Sequence, residues 1–286
     1  SFSERWQLMR LDIKKTYKLF IGGQFPRSES GRSYEITSPR GEFLANAAQA
    51  SRKDLRDSVV AARSAFSNWS SATAFNRGQI LYRIAEIMEG RRDQFIAEIA
   101  ACEGVTSKKS SEQVDAAIDL WVWYAGWCDK YASIAGSQNP IAGPFYNFTT
   151  PEPLGVVGAI ADQKSSLIGL VHAIAPIITS GNCAVVIAHE RAPLSAITLG
   201  EVLATSDLHA GVVNLLTGKV SELSPWLAAH MDIDGIDLSG VARKNIGELQ
   251  HVAAENLKRC HSFTGESLER ILAFTESKTV WHPIGV

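Results

Sequence analysis

Apolar residues recur along this chain with two different periods, and the change from one to the other divides it. Between residues 51 and 134 the spacing is that of amphipathic helices. Ser51 or Asp54 can cap a helix with Leu55, Val59, Ala62 and Phe66 on one side. Further helices are predicted over 77–89 (Ile80, Ile84, Ile87), over 93–102 (Phe95, Ile96, Ile99, Ala100, with Gly104 as the stop) and over 111–134 (Val114, Ala117, Trp121, Tyr124, Ala125). The aromatic set Trp121, Trp123, Tyr124, Trp127 and Tyr131 stands at helical spacing, which is the pattern of core or interface packing. Pro140 to Pro153 breaks this pattern, and 145–150 has the aromatic and β-branched content of a strand. After it, short apolar runs at 155–161, 183–187, 212–216 and 235–238 alternate with helical stretches at 167–180, 194–206 and 220–230. That alternation is the signature of βαβ units around a buried parallel sheet, and it predicts a doubly wound α/β domain with helices on both faces.

Two end regions lie outside the alternation. Near the start, 17–21 followed by Gly22-Gly23 and Gln24-Phe25 reads as a β-hairpin, because the glycine pair supplies the positive φ a two-residue turn needs. Near the end, 253–259 closes a helix, 265–273 forms a short one, and Ser277 to Trp281 is a strand closed by Pro283. The strand candidates at 18–25, 145–150 and 278–282 are expected to pair with one another. Residues 1–16 are charged, lack a sustained apolar face and are expected to be a linker or entry segment.

Composition narrows the function classes. The 286 residues are 45% hydrophobic and 20% charged, which excludes a disordered chain, and 28 basic against 30 acidic residues leave a charge of -2, so no nucleic-acid partner is expected. The longest apolar run, 167–179, is too short to span a bilayer, and the N-terminus carries no apolar secretory core, so no membrane contact and a cytoplasmic setting are expected. The four cysteines, Cys102, Cys128, Cys183 and Cys260, are widely spaced and are read as reduced thiols. No His, Cys, Asp and Glu spacing matches a zinc site, so no metal is expected. Cys260-His261 is the one candidate nucleophile pair, but adjacent residues seldom face each other, and Cys183 reads as core. The first residue is Ser1, which reads as a processed product or a piece of something longer.

Pro153-Leu154-Gly155-Val156-Val157-Gly158, Ala175-Pro176, Gly181-Asn182, Glu190, Pro193-Leu194, Gly211-Val212-Val213-Asn214 and Thr217-Gly218 resemble, in order and spacing, the aldehyde dehydrogenase superfamily. The resemblance extends to the 18–25 segment, to Ser38-Pro39 with Gly41, and to the tail at 275–281. It implies a Rossmann-like domain over 17–259, a β-flap hairpin contributed by 140–152, and a tail helix and flap strand in 260–286. Phe145, Tyr146, Phe148, Val280 and Trp281 are the implied interface residues.

The departures from the family's pattern are as informative. The oxyanion-holding asparagine falls at Lys164, the ribose lysine at Ile187, and the hydroxyl of the pyrophosphate turn at Val241. Gly158, Glu190 and Gly240 remain as vestigial cofactor-binding positions, Glu190 still able to accept one hydrogen bond. The resemblance further implies a deletion: Glu255-Asn256-Leu257-Lys258-Arg259 runs straight into Cys260-His261-Ser262-Phe263-Thr264, without the region that carries the nucleophilic cysteine and the general-base glutamate. No catalytic residue and no bound cofactor are therefore expected for this chain, NAD binding being weakened by Ile187 and Val241. The sequence most resembles the shortened second unit of the two-unit aldehyde dehydrogenases of family sixteen. Its expected role is structural, its partner an upstream aldehyde dehydrogenase domain of the same parent chain or a second copy, and the parent an NAD(P)-dependent enzyme. Two alternatives stand beside it: a regulatory module that binds NAD or another nucleotide, and an oxidoreductase that acts on aldehydes with an upstream catalytic domain.

Overall fold

The 52–71 segment is helical because its start is chemically closed. In a computed structural model that describes residues 11 and 13–285, the Ser51 hydroxyl accepts the Asp54 amide at 3.2 Å while the Asp54 carboxylate accepts the Ser51 amide at 2.7 Å. This reciprocal cap opens α1 (Arg52–Ser71), which buries Leu55, Val59, Ala62 and Trp69. Helices α2 (Ala74–Gly90), α3 (Arg92–Glu103) and α4 (Ser107–Trp127) follow, and Gly104 ends α3 at φ +66°. The helix predicted over 111–134 divides at 128–130 into α4 and the one-turn α5 (Tyr131–Ala135). Of the predicted linker at 1–16, residues 1–10 and 12 lie outside the described residues, and Thr16 already belongs to a strand.

Five parallel strands form the central sheet: β6 (Val156–Ile160), β7 (Cys183–Ile187), β8 (Val213–Leu216), β9 (Gly235–Asp237) and β10 (Arg259–His261), in the spatial order β10-β9-β6-β7-β8. Every residue of β6 to β9 is buried, which is why these strands read as unbroken apolar runs. The connections are α6 (Ile168–Thr179), α7 (Leu194–Thr205), α8 (Val220–Ala229) and α9 (Arg243–Ala254). The strand order reverses at β6, so right-handed crossovers put α6 and α7 on one face and α8 and α9 on the other. Helix α1 packs with α8, while α2, α3 and α4 cover α6 and α7.

Three expectations are corrected. The boundary drawn at 259/260 falls inside β10, which pairs Arg259 with Gly235, Cys260 with Ile236 and His261 with Asp237, so the tail completes the sheet. The Gly22-Gly23 turn is present, with Ile21 and Gln24 exchanging two 3.0 Å bonds, but it does not join the flap. Phe20 instead exchanges bonds of 3.1 and 2.7 Å with Leu215, beside β8. Its neighbour is a small sheet that the sequence pattern left out: β1 (Thr16–Tyr17), β3 (Phe43–Ala48) and β2 (Ser33–Thr37), in the order β1-β3-β2.

The third sheet is the flap. Strand β5 (Phe145–Pro153) pairs antiparallel with β11 (Thr275–Pro283) from Phe145 opposite Pro283 to Pro153 opposite Thr275, with β4 (Ser137–Gln138) on its other side. Among the described residues no helix is long and apolar enough to cross a membrane.

Candidate functional site

A parallel sheet places its site where the strand order reverses, outside the carboxyl ends of the strands. Here that point lies between β6 and β9, and a cleft of about 980 Å³ opens over it. Its wall includes Asp162, Gln163 and Lys164 after β6, Glu190 after β7, Val220 and Ser224 of α8, and Ser239, Gly240 and Val241 after β9. Of the positions singled out in the sequence, Lys164, Glu190, Gly240 and Val241 are brought together there. Ile187 and Gly158 are buried beneath it.

Each of these residues has a definite occupation. Lys164 is exposed at the cleft mouth, and its backbone amide donates to the Asp162 carboxylate at 3.1 Å. Ile187 has no solvent exposure. The Glu190 carboxylate accepts the Val220 amide at 2.9 Å, the first amide of α8, whose own N-cap Lys219 makes no side-chain bond. The Gln163 side chain donates to the Ala161 carbonyl at 2.7 Å and accepts the Glu190 amide at 2.9 Å. His189 Nδ1 accepts the Ala192 amide at 3.0 Å, which puts the ring proton on Nε2, where it donates to the Gln163 carbonyl at 2.8 Å.

The retained glycines are explained by packing. A Cβ at Gly240 would lie 2.0 Å from the Ala161 carbonyl oxygen, and one at Gly158 would lie 2.9 Å from Leu227 Cγ. The space that a glycine leaves open is filled by the protein's own atoms. The Ser239 hydroxyl is bonded to Asp237 and accepts the Phe263 amide at 2.9 Å. Against the dinucleotide that the resemblance implies, the fit therefore fails. The ribose position offers an apolar side chain and a carboxylate with one oxygen already taken by the Val220 amide, and the pyrophosphate turn offers the methyl groups of Val241.

The thiols are equally unsuited to attack. Burial pushes the Cys102 and Cys183 thiols up to about 12 and the Cys128 thiol up to about 11, and it raises the half-buried Cys260 thiol as well. Cys260 does not face His261. Its sulfur points to the Lys258 carbonyl at 3.9 Å, whereas the His261 ring stacks on Phe263 at 5.7 Å. Among the described residues no group of three His, Cys, Asp or Glu side chains is placed to hold a metal ion.

Three further cleft residues stand outside the candidate positions read from the sequence, where His172 is only an isolated histidine. Arg270, on α10 (Leu268–Leu272), forms a buried ion pair with Asp237 at 3.2 Å. Ser224 Oγ and His172 Nδ1 are buried atoms without a hydrogen-bond partner among the described residues. None of the three belongs to a local motif, and only the fold brings them to the cleft.

The flap residues lie on the separate β5–β11 sheet. Phe148 stands opposite Val280, Phe145 meets Trp281 edge to face at 5.9 Å, and Tyr146 packs on Phe148 at 5.4 Å.

The profile of the aldehyde dehydrogenase family matches residues 25–267. Retinal dehydrogenase 2 of Gallus gallus is 35% identical over 262 residues, which cover 88% of this chain and 49% of that protein. The mitochondrial benzaldehyde dehydrogenase of Antirrhinum majus is 33% identical over 249 residues, 84% of this chain and 45% of that protein. Among solved structures, HpcC from Thermus thermophilus superposes with a TM-score of 0.83 at 29% identity, over 88% of this chain and 48% of that one. The NAD+ complex of the aldehyde dehydrogenase from Bacillus cereus gives 0.81 at 26% identity, over 86% and 50%. The chain spans about half the length of the relatives it matches. On this sequence match and this fold, the chain belongs to the aldehyde dehydrogenase family.

Proposed function

We propose that this chain is a non-catalytic aldehyde dehydrogenase-like domain whose role is assembly. It docks through the flap sheet on the upstream catalytic domain of a longer NAD(P)-dependent aldehyde dehydrogenase, or on a second copy. The observation that carries this reading is a contrast between two regions. The crevice has Lys164, Ile187 and Val241 where the family uses polar contacts, while the flap keeps a nine-residue ladder with Trp281 60% and Tyr146 42% exposed. Among the described residues strand β11 is an edge strand, and such an edge carrying large aromatic side chains suits a partner strand. The uninterrupted run from α9 through β10 to the tail supports the deletion of the nucleophile region, and the four separated thiols suit a cytoplasmic setting.

The test is Trp281→Ala, with the mass measured by light scattering. A buried tryptophan at an interface contributes about 2 kcal/mol or more, so association is expected to weaken about thirtyfold while circular dichroism stays unchanged. A proline inserted at Tyr146 removes a ladder donor and is expected to act in the same direction. Unchanged mass in both variants would sink the assembly reading, as would aldehyde-dependent NADH formation by this chain alone.

A second reading is favoured by the unpartnered Ser224 and His172 atoms in a cleft that is still open: a regulatory module that binds a nucleotide. It is checked by the change in melting temperature on adding NAD or smaller nucleotides, since a ligand that binds only the folded state raises it.

A further inference from the structure

Around the end of β7 the polar groups that face the crevice already bind one another. Gln163 ties the end of β6 to the loop after β7 through both ends of its side-chain amide and through its main-chain carbonyl, which receives the His189 proton. The Tyr34 hydroxyl donates to the Glu190 carbonyl at 2.9 Å and fixes the same loop from the side of β2. Glu190 in turn holds the first amide of α8, where a negative charge is favoured by the helix dipole.

We infer that Gln163 and Glu190 form an internal latch that fills the ribose end of the crevice with the protein's own hydrogen bonds and shuts it to a dinucleotide, whatever side chain stands at position 187. The inference rests on the assembly reading above and gives a physical reason why the crevice can lose its ligand without losing its shape.

The competition is between a ligand's groups and the chain's own. A ribose diol that lands on Glu190 finds Oε2 already held by the Val220 amide and only Oε1 open, so it either binds the carboxylate from one side or displaces a cap that Lys219 does not replace. A ligand oxygen that is to accept the Glu190 backbone amide must displace the Gln163 side-chain oxygen from it, which leaves that part-buried group without its partner. Each such displacement lowers affinity by about fivefold to tenfold. Ile187 adds to this but does not create it. The latch also needs no ligand of its own, since the bonds of Gln163, His189 and Glu190 are closed within the chain.

The test uses the full chain in four forms: wild type, Gln163→Met, Ile187→Lys, and the two substitutions together. Methionine keeps the length of the side chain and removes both of its hydrogen-bonding groups. NAD is titrated calorimetrically, amide exchange is followed at Glu190 and Val220, and mass is recorded by light scattering. Wild type and Ile187→Lys are expected to show no saturable binding, and the double variant is expected to gain it. Gln163→Met alone is expected to exchange the Glu190 amide about fivefold or more faster. The latch is overturned if Ile187→Lys binds NAD as tightly as the double variant, if wild type binds it, or if the double variant fails to bind. Wild-type exchange rates in Gln163→Met overturn it too, and that measurement stands even where Ile187→Lys does not fold. The assembly reading fails separately: a wild-type chain that stays monomeric and takes up no upstream domain refutes it whatever NAD does.

Discussion

Glu98 shows how a single buried side chain sets the chain's response to pH. On α3 it faces Thr198 and Glu201 of α7, Tyr17 of β1, Lys15, and Gln94 and Cys102 of its own helix. Burial, reinforced by Glu201, raises its carboxyl from the ordinary 4.5 to about 7, against hydrogen bonds from Thr198 (2.7 Å) and Gln94 (3.0 Å) and the charge of Lys15. A carboxyl whose folded value lies above its unfolded one contributes its full stability below 4.5 and loses it as pH rises through 7. Glu98→Gln cannot ionise, so it is expected to match wild type at low pH and exceed it above pH 7 by up to about 3 kcal/mol. Urea midpoints across that range decide the matter, and parallel curves for the two proteins would refute it. Gly240 is the other residue whose role is sharply testable. Its missing Cβ is the condition for the turn to sit 3.0 Å over the Ile160 carbonyl, so Gly240→Ala is expected to cost about 1–3 kcal/mol, read from the thermal midpoint, with no NAD present. At this scale the departures are legible in the sequence, since Lys164, Ile187 and Val241 differ in residue type from the pattern that the resemblance implies. What replaced them is not, because the Gln163 contact depends on how two loops 26 residues apart meet.

The elements were legible in proportion to their burial. Strands β6 to β9 are covered on both faces, so their apolar runs announce them, and the helix faces follow from their spacing. Strands β2 and β3 carry Glu35 and Asn46 within short half-exposed segments, and β10 is only Arg-Cys-His, so neither period stands out. The 18–25 segment looked like a flap strand because its residues fit any sheet edge, and the edge it found was β8. What joins the short α10 to the sheet is polar. Arg270 reaches Asp237 of β9 at 3.2 Å, the Gly265 carbonyl at 2.7 Å and the His172 carbonyl of α6 at 3.1 Å. Burial pushes the Asp237 carboxyl up, and the Ser239 groups and the Arg270 charge oppose that. Arg270→Met leaves that carboxyl with only its Ser239 bonds and two carbonyls without the Arg270 donor, and it is expected to destabilise the chain by about 3–5 kcal/mol. Asp237→Asn in the same chain is expected to recover part of the loss, because the remaining group is then neutral. Equal denaturant midpoints for wild type and Arg270→Met would mean that α10 is held by Ile271 and its apolar contacts alone.

At the scale of the whole molecule the two ends of the chain meet the same sheet from opposite sides. Phe20 bonds to Leu215 at the β8 edge, and β10 closes the other edge, with the Leu238 amide held by His261 at 2.8 Å. The tail then returns to the centre. The Phe274 carbonyl takes the Leu154 amide at 3.1 Å and the Asn182 side chain at 2.8 Å, while its ring and Ile271 are buried in the main core. A chain stopped at Arg259 therefore loses two of the three residues of β10, two core side chains and the flap partner of β5 together. Burial of two such side chains alone contributes about 3–6 kcal/mol, against the roughly 5–15 kcal/mol that separates folded from unfolded domains of this kind. The full chain is expected to melt in one calorimetric transition, and the chain shortened to 259 is expected to show no sharp transition and weak near-ultraviolet circular dichroism. If the shortened chain instead melts as sharply as the full one and within a few degrees of it, the tail is an appendage to the sheet. Assembly through β11 would then be separable from folding. If it does not, the surface proposed for docking and the core that carries it stand or fall together, and no partner contact can be lost by trimming the tail without losing the domain.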